Sequence, residues 1–399
     1  MQSSSIDSVP STASRKGGTW HIVSFTYFTF VVYLSIGLPL AVLPPYVHLR
    51  MGYSAAVAGL VISIQYIATL LSRPWAGRIS DHAGAKVAVL WGMTMCTTSG
   101  GLLVAAAFLH AIPWLSFSSL IASRLILGVG ESLGSTGSIL WGIASAGPEH
   151  TAKVIGLNGI STYGGVALGA PLGVILEQRW GLASIGVVII LIGAVSFVMA
   201  WRKSHVAVVV GEHLPFIHVL GRVAAHGMSL ALGCVGYCVL ATFVTLFYAS
   251  RHWNGAALCL TAYGLGYIAV RLLFIQTINH YGGFPVAIVS LLVVSVGMLL
   301  LWRAPAPWMA LSGATISGLG FSLVFPALGV EAVKGVPESN RGTALGVYTA
   351  FFDVSFFLAG PVAGVIIGVY GYASGFLFGL ISVLAALGIV VVLRQMQKG

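Results

Sequence analysis

The chain is organised as long apolar runs separated by short breaks that carry its charges, prolines and glycines. The runs fall near 20–45, 53–75, 86–109, 114–143, 154–176 and 182–202, and then near 222–249, 257–279, 284–302, 307–333, 343–368 and 373–394. A helix needs about 20 apolar residues to cross the hydrocarbon of a bilayer, and only helices or closed barrels satisfy every backbone polar group there. No run alternates strictly between apolar and polar positions, so the pattern predicts helices: an all-α membrane protein with six spans, a break, and six more. The break at 204–221, with His205, Glu212, His213 and Pro215, is the one polar stretch near the middle. The predicted organisation is a tail over 1–19, a six-helix bundle over 20–203, a linker over 204–221, and a second six-helix bundle with a short tail over 222–399.

The two halves repeat one another. From Arg73 the sequence reads RPWAGRISDHAGAK, and 198 positions later, from Arg271, a worn copy follows in which Asn279 falls on Asp81 and Gly282 on Gly84. At an offset of 190, Gly128-Val-Gly130-Glu131-Ser132-Leu133 aligns with Gly318-Leu-Gly320-Phe321-Ser322-Leu323, and Pro171 aligns with Pro361. A repeat of nearly half the chain points to an internally duplicated architecture.

Composition excludes a soluble domain. The chain is 58% hydrophobic and 7% charged, and its mean hydropathy is +0.98. The distribution of the basic residues orients the spans, because Lys and Arg are retained on the cytoplasmic side during insertion. Arg15, Lys16, Arg73, Arg78, Lys86, Lys153, Arg202, Lys203, Arg222, Arg271, Lys334, Arg341, Arg394 and Lys398 lie in the tails or in alternate loops, whereas Arg50, Arg179, Arg251 and Arg303 lie in the others. Both termini are therefore expected in the cytoplasm, with the protein in the inner membrane of the cell. The formal charge of +10 is spread over short loops beside spans, so retention and lipid headgroups explain it and a nucleic-acid partner is not expected. The first run continues past signal-peptide length without a cleavage pattern and is expected to remain as a span. Cys96, Cys234, Cys238 and Cys259 show no framework spacing, and a metal on the Cys234/Cys238 pair is disfavoured. The histidines sit in loops or near span ends, which argues against a histidine proton relay.

Three charged residues remain near the middle of the spans: Arg124, Glu131 and Asp353. A charge at mid-membrane costs about 2.5–3.5 kcal/mol on insertion scales, so such residues face a cavity or a partner. The duplication isolates them, since Arg124 aligns with Ala314, Glu131 with Phe321 and Asp353 with Tyr163. Arg124 and Glu131 share a helix face but stand ~10 Å apart along the axis, which leaves room for water, solute or another helix. Buried carboxylic acids suit proton carriage, because desolvation favours the neutral form and an approaching guanidinium favours the charged one. Glu131 is the first candidate and Asp353 the second, with Arg124 as the charge that tunes them. In the fifth span Gly165, Gly169, Pro171 and Gly173 form a spaced series, and Gly360, Pro361, Gly364 and Gly368 follow in the eleventh; these suggest close packing and a paired pivot.

These residues resemble signatures of the major facilitator superfamily. Gly77, Asp81, Gly84 and Lys86 resemble the loop between its second and third helices, with His82 and Ala85 where basic residues are usual. Leu120, Arg124, Gly128 and Gly130 resemble its fourth-helix signature associated with proton coupling. Gly165 to Gly173 is similar to its fifth-helix antiporter motif, with the proline one place late. IGLPLAVLPPYVH, RLILGVGESLGSTGSILWG and FSLVFPALGVEAVKGVP resemble the YhhS/YfcJ group of bacterial efflux transporters, in the drug:H+ antiporter-like branch. The resemblance implies 12 transmembrane helices in two pseudo-symmetric six-helix bundles around a central cavity that opens to alternate sides. It also implies a gating loop of Arg73, Gly77, Asp81, Gly84 and Lys86, with Asp81 docking near Arg341.

The expected function is proton-coupled secondary transport by a monomer. In the leading reading an H+ antiporter exports a small organic solute or drug, with the proton gradient as energy source and no cofactor or metal. The alternatives are an H+ symporter that imports an organic anion or sugar, with Arg124 as counter-charge, and a membrane sensor or scaffold that transports nothing. No enzymatic constellation is present. Candidate cavity residues, chosen as polar or aromatic positions within spans, are Tyr33, Gln65, Trp141, Asn158, Tyr163, Tyr237, Tyr263 and Tyr348.

Overall fold

The computed structural model describes residues 18–147, 150–205, 216–334 and 341–398. Among them, 12 helices are long and apolar enough to cross a membrane. They are built on α1 (Thr19–Leu40), α2 (Ala55–His82), α3 (Ala85–Phe108), α4 (Pro113–Ala146), α5 (Thr151–Trp180) and α6 (Leu182–Arg202), then α7 (Phe216–Ser250), α8 (Ala256–Phe274), α9 (Gly283–Arg303), α10 (Pro307–Phe321, the first part of a span that runs to Lys334), α11 (Arg341–Tyr370) and α12 (Ala373–Lys398). Leu71, Leu191, Val195, Leu265, Leu272, Val289 and Val365 turn outward and are exposed. An apolar exterior of this kind is stable against lipid chains and would be unfavourable in water.

Local chemistry sets the helix ends. Ser54 accepts the Val57 N–H and caps α2, while Pro113 and Pro307 open α4 and α10, where a missing N–H costs no helical bond. Gly84 and Gly282, equivalent in the repeat, have φ of 98° and 84° and turn the chain into α3 and α9. Two spans are less regular than the apolar runs suggest. The first bends after Pro39 into the short segments Leu43–Pro45 and Tyr46–Arg50, and the tenth breaks after Phe321 and resumes over Val324–Lys334. The seventh begins at Phe216, inside the stretch read as linker.

Equivalent helices make equivalent contacts in the two halves. The pairs α1/α5, α2/α4, α3/α4 and α3/α6 are matched by α7/α11, α8/α10, α9/α10 and α9/α12. Glycine permits one of these approaches in both halves: a Cβ on Gly128 would run into the Gln65 carbonyl, and one on Gly318 into the Tyr263 carbonyl. The halves meet along α2/α11 and α5/α8, which are again equivalent pairs.

The glycine series of α5 and α11 do not form an equivalent pair, contrary to the paired pivot expected from sequence. Gly165 and Gly169 seat the backbone of α1 around Leu34, Gly37 and Leu38, within the first half, and Gly173 also lies on Leu38. Gly360 and Gly364 instead seat α2 of the other half, against Gly59, Ser63, Ala55 and Ala56, while Gly368 meets nothing. The repeat register explains the difference. Gly165 corresponds to Ser355, whereas Gly360 corresponds to Ala170, so the second series is shifted by one residue and turned by roughly 100° about the helix.

The contacts between halves seal one face of the molecule. On the face where α2 begins, Gly360 and Gly364 pack against α2, and Thr261 of α8 donates to the Ala167 carbonyl of α5 at 2.9 Å. On the other face, which carries Arg78, Lys86 and Lys203 and is called here the basic face, a Cβ on Gly77 or Gly346 would meet none of the described residues within 4 Å.

Candidate functional site

One face of α2 organises the charged centre. Gln65, Thr69 and Arg73 stand four residues apart and therefore lie above one another. The Glu131 carboxylate of α4 accepts from Gln65 Nε2 at 3.0 Å and Thr69 Oγ1 at 3.1 Å on one oxygen, and from Tyr33 Oη at 3.0 Å on the other. The Gln65 side-chain oxygen Oε1 in turn accepts from Arg124 Nη1 at 3.4 Å. One turn further on, Arg73 grips Asp353 of α11 with a fork of two bonds, Nε to Oδ2 and Nη2 to Oδ1, the latter at 2.9 Å. The α2 stripe thus holds one acid of its own half and one of the opposite half.

This arrangement revises two expectations. The guanidinium that meets an acid is Arg73's, and Arg73 lies inside α2 rather than with the loop residues. Arg124 reaches Glu131 only through Gln65. It is 1% exposed, and its Nε and Nη2 have no partner among the described residues. Seven residues of separation place Arg124 and Glu131 on one face but two turns apart, and Gln65 fills the gap. The stripe was legible in principle, because three hydrogen-bonding residues at four-residue spacing inside an apolar run mark a face turned from lipid.

The aromatic candidates divide. Tyr163, Tyr237 and Tyr263 gather between the halves: Tyr237 stacks on Tyr263 at 4.6 Å, Tyr163 stacks on Tyr267 at 3.6 Å, and Tyr237 meets Phe356 edge-on at 5.7 Å. Tyr66 of α2 joins them through Phe356 at 4.2 Å. Tyr66, Thr69, Tyr267 and Phe356 are members that the sequence reading passed over. Three candidates lie elsewhere. Trp141 is fully buried against Phe25 and Phe28 within the first half. Tyr348 is fully buried in the second half and donates to the Phe325 carbonyl at 2.9 Å. Asn158 accepts from Thr29 at 2.6 Å, which ties α5 to α1. The first two correct the sequence expectation, since an aromatic ring in an apolar span fills a core as readily as it lines a cavity.

The basic loop serves its own half. Lys86 Nζ donates to the Trp201 and Lys203 carbonyls, each at 2.7 Å, and so caps the end of α6, where unpaired carbonyls and the helix dipole favour a cation. Lys203 donates to Ser24 Oγ at 2.8 Å and lies 4.1 Å over the Phe25 ring, and burial lowers its pKa from the ordinary lysine value. The side chains of Asp81 and Arg341 are outside the described residues, as is any docking between them. The cysteines are free and buried.

Comparison with known proteins supports a single assignment. The family model described as Major Facilitator Superfamily matches residues 25–259 and 227–398. An uncharacterized MFS-type transporter of Pseudomonas aeruginosa (strain LESB58) is 53% identical over 386 residues, covering 97% of this chain and 96% of its own. Another from Burkholderia mallei (strain SAVP1) is 49% identical over 397 residues, covering 100% and 98%. Among solved structures, the nucleoside transporter NupG superposes with a TM-score of 0.73 at 15% identity, covering 93% of this chain and 99% of its own. A D-xylose-proton symporter gives 0.71 at 16% identity, covering 92% and 97%. The human organic anion transporter MFSD10 gives 0.71 at 15%, covering 96% and 100%. At such identities these three establish the fold alone. With duplicated six-helix halves, matched helix pairings and these relatives, the chain belongs to the major facilitator superfamily and is a multi-pass membrane transporter, not an enzyme.

Proposed function

We propose that the protein is a proton-coupled secondary transporter that exports a small organic solute in exchange for H+ by alternating access. It acts as a monomer of two six-helix halves, from residues 20–203 and 222–399, in the inner membrane with both termini in the cytoplasm. Its relation to the drug:H+ antiporter-like YhhS/YfcJ group belongs to the same proposal. The observation that carries it is the α2 stripe, on which Gln65 and Thr69 bind Glu131 while Arg73 binds Asp353 across the two halves.

A proton on Glu131 removes an acceptor lone pair that Gln65, Thr69 or Tyr33 now uses, and so loosens α4 from α2. A proton on Asp353 neutralises the acid that holds Arg73 and removes the charge from the bond between halves. Because Arg73 is four residues from Thr69 on the same rigid helix, a shift of α2 on Glu131 is felt at Asp353 and the reverse. The tight packing of Gly360, Gly364 and Thr261 lies on the face opposite the basic residues, which supports an inward-opening arrangement, with the basic face in the cytoplasm, for a solute to be exported. The hinge role of Gly165, Gly169, Pro171 and Gly173 is to let α5 and α1 move as one body; Gly360, Pro361 and Gly364 supply the sliding contact with α2.

The test is transport in vesicles. Purified protein is reconstituted with a trapped pH-reporting dye, and organic solutes that raise its thermal stability are added under an imposed pH gradient. Opposed solute and proton fluxes support exchange, and parallel fluxes convert the assignment to symport. Glu131→Gln is expected to abolish the proton signal; full coupled flux in that variant refutes the role of Glu131, and absence of any flux from the wild type favours a sensor.

A further inference from the structure

The repeat carries a second stripe, equivalent to the first but without its acids. At the same offset of 198, Gln65, Thr69 and Arg73 of α2 become Tyr263, Tyr267 and Arg271 of α8. The partners change too, because the position of Glu131 is taken by Phe321 and that of Asp353 by Tyr163. Arg271 therefore occupies the place of Arg73 in the α5/α8 contact between halves, and the residue that would have neutralised it is a tyrosine.

Its surroundings are those of a charge prepared for a visitor. Arg271 is 8% exposed, and among the described residues it forms no ion pair. Nη2 donates to Tyr267 Oη at 2.5 Å, the guanidinium lies 5.2 Å over the same ring, and Nε has no partner among the described residues. Two turns along the stripe, the buried Tyr263 hydroxyl likewise has no partner among the described residues. Across the interface Gly159 of α5 leaves the guanidinium space, since a Cβ there would stand 3.3 Å from Nη2, and Tyr163 stacks on Tyr267. A buried guanidinium without a counter-charge is unfavourable unless an anion visits it, and its planar fork matches a carboxylate. The tyrosines beside it are buried and stacked on one another, so an aromatic group enters by parting them and takes the place of one ring in the stack.

We infer that Tyr263, Tyr267 and Arg271, with Tyr163 across the interface, form a binding site for an aromatic carboxylate, held by its carboxylate on Arg271 and by its ring among the tyrosines. This names the solute class for the transport reading above and rests on it. Binding is measured at equilibrium in neutral detergent without a gradient, so its outcome is separate from that of the vesicle assay.

The full-length protein is titrated with benzoate, benzamide, benzylamine and, as a lipid source of negative charge, phosphatidylglycerol, while thermal unfolding is followed. Benzoate is expected to raise Tm at millimolar concentration, with benzamide and benzylamine inert. Arg271→Gln is expected to weaken benzoate binding by about tenfold or more, the loss of one charge-assisted bond, and Arg271→Lys to retain part of it. Monodisperse elution and the ligand-free Tm report whether each variant folds. If Arg271→Gln does not fold, selectivity among the three ring compounds on the wild type still decides. The inference is overturned by no shift with benzoate, by an equal shift with benzamide or benzylamine, by unchanged affinity in a folded Arg271→Gln, or by a shift with phosphatidylglycerol alone.

Discussion

Breaking the Arg73–Asp353 pair should release the seal between halves, and the two ends of the pair should not be equivalent. Asp353 is 1% exposed, whereas the Arg73 side chain is 27% exposed. Asp353→Asn leaves a guanidinium that can still reach water, so its cost is that of a charged hydrogen bond, about 1.5–3 kcal/mol. Arg73→Gln strands a dry carboxylate and should cost about 3–5 kcal/mol. Part of either loss falls on the equilibrium between sealed and opened arrangements, and a bias of about 1–3 kcal/mol changes the opened population by roughly 5- to 150-fold. Ser63 reports on this, because it is 1% exposed and its hydroxyl lies against Gly360 in the seal, while the native cysteines are buried. In a Ser63→Cys background, maleimide labelling should be slow, faster with Asp353→Asn, and fastest with Arg73→Gln. The double variant should fall below the sum of the single effects, since neutralising both ends removes the stranded charge. Equal labelling in all four proteins would refute the claim that this ion pair biases the halves.

Two further outcomes test neighbouring features. Lys86→Met should lower Tm modestly, by the loss of a partly exposed cap worth about 0.3–1 kcal/mol, and leave maleimide labelling in the Ser63→Cys background unchanged, because Lys86 binds carbonyls of its own half; altered labelling would instead make it part of a gate across halves. Gly128→Ala should destabilise α2/α4 packing and slow proton-coupled flux, since the added methyl meets the Gln65 carbonyl beside Glu131, and a Tm equal to wild type would contradict the close approach.

The sequence alone determined the twelve spans, their division into halves and the repeat register. Each of those follows from local rules: the length of apolar chain needed to cross a bilayer, and the persistence of glycines where helices approach. It also singled out Glu131, Asp353 and Arg124, because a charge inside an apolar run is costly wherever it lies. What it could not supply was the pairing of those charges. Arg73 and Asp353 are 280 positions apart, and only the α2/α11 contact makes one the counter-charge of the other; from sequence, Arg73 grouped with the loop that follows it and Arg124 with the acid two turns away. The same limit applied to the aromatic residues. Trp141 and Tyr237 are both rings in apolar helices, and helix rotation alone sends the first into the core of one half and the second into the space between them. The one-residue shift between Gly165 and the register of Gly360 is visible in the alignment, but its meaning, that one series faces its own half and the other the opposite half, is a property of how the bundles dock. Local composition fixes what each helix is, and the angle at which it is turned toward its neighbours decides what its residues can do.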